Sequence, residues 1–147
     1  MNRRAYLASL GTVSTVGVAG CSTVSGMLSS EPCSGDTCDI GMTRTEFVPE
    51  TYEISVGETV TWKNTSEAIH TVTAYESSLF EDEGAEYFAT GGYDDFETAH
   101  EEFWNENNGV LNTRETFEHT FEVAGTYSYA CLPHEEGGMV GVIEVTE

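Results

Sequence analysis

Five short stretches of this sequence alternate apolar and polar residues, and turn-forming residues separate them. Tyr52–Val56 is followed by the turn Gly57-Glu58 and by Thr59–Lys63, in which Val60 and Trp62 share one face. Phe117–Val123 and Thr126–Ala130 repeat the period around Ala124-Gly125, and Val140–Val145 closes the series with Ile143 and Val145 facing inward. A period of two puts alternate side chains on opposite faces of a strand. Several such strands joined by short turns predict an all-β sandwich with one half-buried face per sheet. Trp62 is expected to fill its core. One segment breaks the pattern. Phe96, Ala99, His100, Phe103 and Trp104 recur at helical spacing within Asp94–Glu106. Asp94 is a candidate N-cap with Glu97 three residues on, so one short amphipathic helix is expected on the flank.

The first twenty residues lie outside this domain. Arg3-Arg4 precedes a weakly apolar run from Ala8 to Gly20, interrupted by Ser, Thr and Gly and shorter than the about 20 apolar residues of a membrane span. The paired arginines resemble a twin-arginine export signal. Val18-Ala19-Gly20-Cys21 resembles a lipobox, in which cleavage leaves Cys21 carrying a diacylglycerol. Two acyl chains anchor a protein stably where one does not. The domain organisation expected is an export signal over 1–20, a lipid-anchored flexible tether over 21–38, and a folded domain over 39–147. The location expected is the outer face of the cell membrane. In that oxidising setting Cys33 and Cys38 are expected to pair as a disulfide.

Charge narrows the partners. The chain has 26 acidic and 5 basic residues, a formal net charge of −21, and loss of residues 1–20 removes two of those bases. Nucleic acid is excluded as an electrostatic partner, because no basic patch is available to neutralise phosphates. The acidity resembles that of proteins from extremely halophilic archaea, which stay hydrated through their carboxylates. In molar salt the Debye length is only about 3 Å, so such a surface serves solvation more than steering.

The chemistry is concentrated in Cys131-Leu132-Pro133-His134-Glu135-Glu136-Gly137-Gly138-Met139. A thiolate, an imidazole and a thioether lie between two predicted strands, and thiolate and thioether suit Cu(I) while imidazole suits both copper oxidation states. His70, expected at one end of the sandwich after the Asn64–Ala68 turn, would complete a His₂Cys plane with Met139 as a weak axial ligand. Zinc is disfavoured because thioether is a poor zinc ligand. His100 begins His-Glu-Glu-Phe-Trp, but Trp104 stands where a second zinc-protease histidine would. His119, between Phe117 and Phe121, is expected to pack. Asn64-Thr65-Ser66 matches a glycosylation sequon and is expected to be a plain turn.

At these residues the chain resembles the blue copper proteins of the plastocyanin type, and most closely the archaeal halocyanins. The resemblance includes the Cys-x-x-His-x-x-x-x-Met loop, Gly125–Tyr129 before it and Met139-Val140-Gly141 after it. It also takes in Val56–Trp62, His70-Thr71-Val72 and Tyr87–Tyr93 with the helix that follows. It implies a cupredoxin Greek-key β-sandwich, one copper ion held by His70, Cys131, His134 and Met139, and one-electron transfer. It further implies a hydrogen bond from the Thr71 backbone to Cys131. A membrane cytochrome complex as donor and a terminal oxidase as acceptor also follow from it, with the protein acting as a monomer. Ala130 departs from the plant pattern, where a tyrosine precedes the ligand cysteine. Exchange is therefore expected at the His134 edge, within an apolar surround of Leu132, Pro133, Gly138 and Val140. A full set of protein ligands leaves no open position for substrate, which argues against an enzyme. A copper delivery protein is the alternative, although no Met- or His-rich run is present. An oxidase domain would need further histidine pairs, and a metal-free surface sandwich would need none of these ligands.

Overall fold

In the computed structural model the described residues are Cys33 and 38–147. The expected export signal, Cys21 and all of the 22–37 stretch apart from Cys33 lie outside them. Cys33 and Cys38 are joined by a disulfide, with Cα atoms 5.3 Å apart.

Among the described residues, eight strands form two four-stranded sheets. β1 (Ile40–Met42), β2 (Phe47–Val48), β4 (Thr59–Asn64) and β6 (Thr116–Thr120) build one, in the order β2-β1-β4-β6. β3 (Thr51–Ser55), β8 (Val140–Thr146), β7 (Gly125–Ala130) and β5 (Thr73–Ala74) build the other, in the order β3-β8-β7-β5. The chain changes sheet at every connection from β2 to β7, so residues distant in sequence meet at the ends of the sandwich. β1 pairs parallel with β4 and β3 parallel with β8, while the remaining neighbours are antiparallel.

The five alternating stretches correspond to β3, β4, β6, β7 and β8, and their inward positions are buried. Val60, Trp62, Tyr129 and Ile143 have no exposed surface. Trp62 is the hub. Its ring stacks on Phe88 at 5.9 Å and meets the edge of Tyr129 at 5.5 Å, between the two sheets. Truncating an aromatic at such a position costs about 3–5 kcal/mol. β6 is shorter than the alternation predicts, ending at Thr120, although Phe121 beyond it is buried.

The flanking helix is α2 (Phe96–Glu106), preceded by a single turn, α1 (Ser78–Glu81). Its N-cap is Asp95 and not Asp94: the Asp95 carboxylate accepts from the Thr98 amide at 2.7 Å. Two adjacent aspartates offer the same cap chemistry, and the helix starts at Phe96, whose amide is taken by Glu76 and whose ring packs on Tyr75. Glu97 is then one position short of a capping box. The helix ends at Asn107 in the left-handed region, φ 57°. It packs beside β5, the edge strand of the second sheet.

Candidate metal centre

The loop from β4 to β5 carries His70, and Asn64 shapes it. Asn64 is fully buried. Its Nδ2 donates to the carbonyls of Ala68 at 2.7 Å and Leu111 at 2.9 Å, and its Oδ1 accepts from the Ser66 amide and hydroxyl, each at 2.9 Å. The sequon is thus a structural turn, as expected, with its amide nitrogen committed inside the fold. Ser66 Oγ lies 2.8 Å from His70 Nε2. Because that hydroxyl already donates to Asn64, the consistent assignment has His70 Nε2–H donating to Ser66, which leaves the Nδ1 lone pair free. Backbone bonds exchanged with Leu111, 3.2 and 2.7 Å long, fix the rest of the residue.

Cys131 leaves the end of β7, and a 3₁₀ turn over Leu132–Gly137 returns the chain to β8. The turn closes on itself: Cys131 N–H donates to Met139 O at 3.0 Å, His134 N–H to Cys131 O at 3.0 Å, and Met139 N–H to His134 O at 3.2 Å. Gly138 makes the return possible with φ +90°, a left-handed conformation that side chains disfavour. The near end of the turn is held by Leu132 N–H, which donates to the Thr71 hydroxyl at 2.9 Å.

These two loops bring His70 Nδ1 to 3.3 Å and His134 Nδ1 to 3.4 Å from Cys131 Sγ. All three donor atoms lie within 4.8 Å of one another. Metal bonds of about 2.0–2.3 Å to nitrogen and sulfur place trigonal donors about 3.6 Å apart, so the spacing fits a single ion. Thr71 N–H points at the same sulfur from 3.5 Å, the hydrogen bond implied by the resemblance. Met139 belongs to the same buried cluster as Cys131, with 1% of its surface exposed.

Electrostatics agree with the geometry. Burial, reinforced by the neighbouring His134, lowers the His70 pKa to about 4, so the ring is neutral and able to ligate at physiological pH. Burial lowers His134 as well. Burial also pushes the Cys131 thiol up to about 11, against hydrogen bonds from the backbone at Thr71 and His134. A thiolate here requires a nearby cation, and a soft metal ion supplies one.

Other candidates fall outside the cluster. His100 lies on α2 between the rings of Phe96 and Trp104. His119 stacks on Phe88 at 4.8 Å and meets the edge of Phe121, the packing role expected of it. Leu132 corrects the expected apolar surround. It is 3% exposed, because the residue after an inward-facing cysteine enters the turn with its side chain packed inside. Ile69, next to His70, is exposed instead. Asn64, Ser66 and Leu111 shape the site; the sequence marks Asn64 and Ser66 only as part of a turn, and nothing marks Leu111. The only sequence hint of the Ser66 contact is the four-residue spacing from Ser66 to His70.

Comparisons with known proteins point the same way. A model of copper binding proteins of the plastocyanin/azurin family matches residues 36–146. Plastocyanin of Scenedesmus fuscus is 32% identical over 99 residues, covering 67% of this chain and 85% of its own. That of Capsella bursa-pastoris is 33% identical over 100 residues, covering 67% and 86%. Among solved structures, a mutant plastocyanin of fern superposes with a TM-score of 0.52 at 20% identity, over 73% of this chain and 98% of its own. Amicyanin from Paracoccus versutus gives 0.51 at 23% identity, over 77% and 84%. The two structures share the fold.

Proposed function

Because this chain belongs to the plastocyanin/azurin family of copper-binding proteins, we propose that it is a halocyanin-like carrier of single electrons, with one copper ion held by His70, Cys131, His134 and Met139. The observation that carries the reading is the convergence of His70 Nδ1, Cys131 Sγ and His134 Nδ1 within 4.8 Å, two of the three residues being buried. Bound copper would supply a Cu(II)/Cu(I) couple, and the residues around it hold the donors in a fixed arrangement. Ser66 and Leu111 fix His70, Thr71 donates to the sulfur, and the self-closed turn sets His134. A rigid donor set suits electron transfer, because little rearrangement accompanies a change of oxidation state.

Burial of His70, Cys131 and Met139 speaks against a delivery protein, whose ligands must be accessible for exchange. Only His134 is partly exposed among the four, so electrons pass at its edge, next to Pro133. The carrier is anchored through a lipid on Cys21 at the outer face of the membrane and shuttles between a cytochrome-type donor and a terminal oxidase. The twin-arginine and lipobox-like residues at 3–4 and 18–21 support the anchor, and the net charge of −21 supports a halophilic setting. Titrating Cu(II) into the metal-free protein tests the function: an intense blue absorption that bleaches reversibly with reductant is expected. Colourless binding would defeat the reading. Mass spectrometry of the mature N-terminus tests the anchor, and an unmodified cysteine would remove it.

A further inference from the structure

The hydrogen bonds along the ligand turn are mostly internal to it. Cys131, His134, Glu135, Gly138 and Met139 bond to one another through their backbones, and Leu132 ties only the near end to Thr71. The middle of the turn, from His134 to Glu136, reaches the rest of the fold by a different contact. The phenol of Tyr75 donates to the carboxylate of Glu135, the residue directly after His134, across sixty positions of sequence.

Tyr75 is itself well fixed. It follows β5, and its N–H donates to Ser128 O on β7 at 2.9 Å. Its ring packs against Phe96, the first residue of α2, with centroids 5.5 Å apart and planes 34° apart. The next residue, Glu76, accepts from the Phe96 amide at 2.9 Å, which binds the start of the helix to the same segment. A Tyr-Glu pair thus grips α2 on one side and the ligand turn on the other. Burial and the adjacent carboxylate hold the Tyr75 phenol above its ordinary pKa, so it remains a donor. None of these residues is among the four donors of the metal centre.

We propose that Tyr75 is a positioning residue for the metal centre: through Glu135 it braces the middle of the ligand turn against β5 and α2, and so keeps His134 in place. The brace itself is a property of the metal-free fold; its consequence for copper rests on the functional reading above.

Two measurements on the full chain test it. In the metal-free protein, amide hydrogen exchange at residues 134–138 should rise about tenfold in Tyr75→Phe and in Glu135→Ala, the shift in open population expected when one charge-assisted hydrogen bond is lost. Glu135→Gln keeps an acceptor and should stay near the parent. The double variant Tyr75→Phe/Glu135→Ala should exceed neither single variant by much, since both remove the same bond. In the copper-loaded protein, transfer of the metal to a chelator should accelerate in the same order. Unchanged exchange in the turn of Tyr75→Phe would overturn the proposal. So would an equal rise throughout β3 and β8, which would mark general loosening. If exchange behaves as expected but even the parent holds no copper, the brace stands and the copper reading falls.

Discussion

Cys131 Sγ lies 3.3 Å from His70 Nδ1, although the two residues are sixty-one positions apart in the chain. The sandwich creates that proximity, because β7 delivers Cys131 and the loop after β4 delivers His70 to the same end. Replacing the donors therefore separates chemistry from folding. Cys131→Ala should abolish blue absorption outright, since the thiolate is its source. Met139→Leu should keep the colour and shift the reduction potential, because the axial ligand tunes the couple. Absorption spectra and voltammetry of both variants check this, and a colourless, copper-free Met139→Leu protein would show that the axial assignment is wrong.

Asn64 makes four hydrogen bonds in full burial, so Asn64→Ala should cost about 2–3 kcal/mol, largely by stranding the groups it now pairs. Urea unfolding of the metal-free protein measures the loss. A change below about 0.5 kcal/mol, the range of ordinary surface substitutions, would mean the loop holds itself without the amide.

His119 links stability to pH. Burial lowers its pKa below the unfolded value of 6.5, with Glu86 opposing, so the unfolded chain binds the proton more readily than the fold does. The stability it supports is present above pH about 6.5 and declines as the pH falls through that value toward the lower folded pKa. Unfolding free energies measured between pH 7.5 and about 5.5 should slope upward with pH more steeply in the parent than in His119→Phe. Parallel slopes would contradict the assignment.

The net charge of −21 makes a salt prediction. Crowded carboxylates repel more strongly as the Debye length grows from about 3 Å at 1 M to about 10 Å at 0.1 M. Dilution from molar salt should therefore lower the unfolding temperature of the domain. A transition temperature independent of salt would remove the halophilic reading.

Local regularity explains how much of this was legible in sequence. β3, β4, β6, β7 and β8 are long enough to show a period of two, and Cys131, His134 and Met139 sit in one loop whose spacing carries its own chemistry. β2 and β5 have two residues each and α1 only four, too few for any periodicity to register. The choice of Asp95 over Asp94 as cap and the inward turn of Leu132 were set by packing against other segments. Leu111 and Tyr75 act through partners forty-one and sixty residues away, and such contacts leave no local trace.

X-ray absorption at the copper edge of the loaded protein tests the account most directly. A first coordination shell of two imidazole nitrogens and one short sulfur, with that sulfur lost in Cys131→Ala, is the predicted result. A shell of nitrogen and oxygen alone, identical in the parent and in Cys131→Ala, would contradict the claim that Cys131, His70 and His134 share one ion.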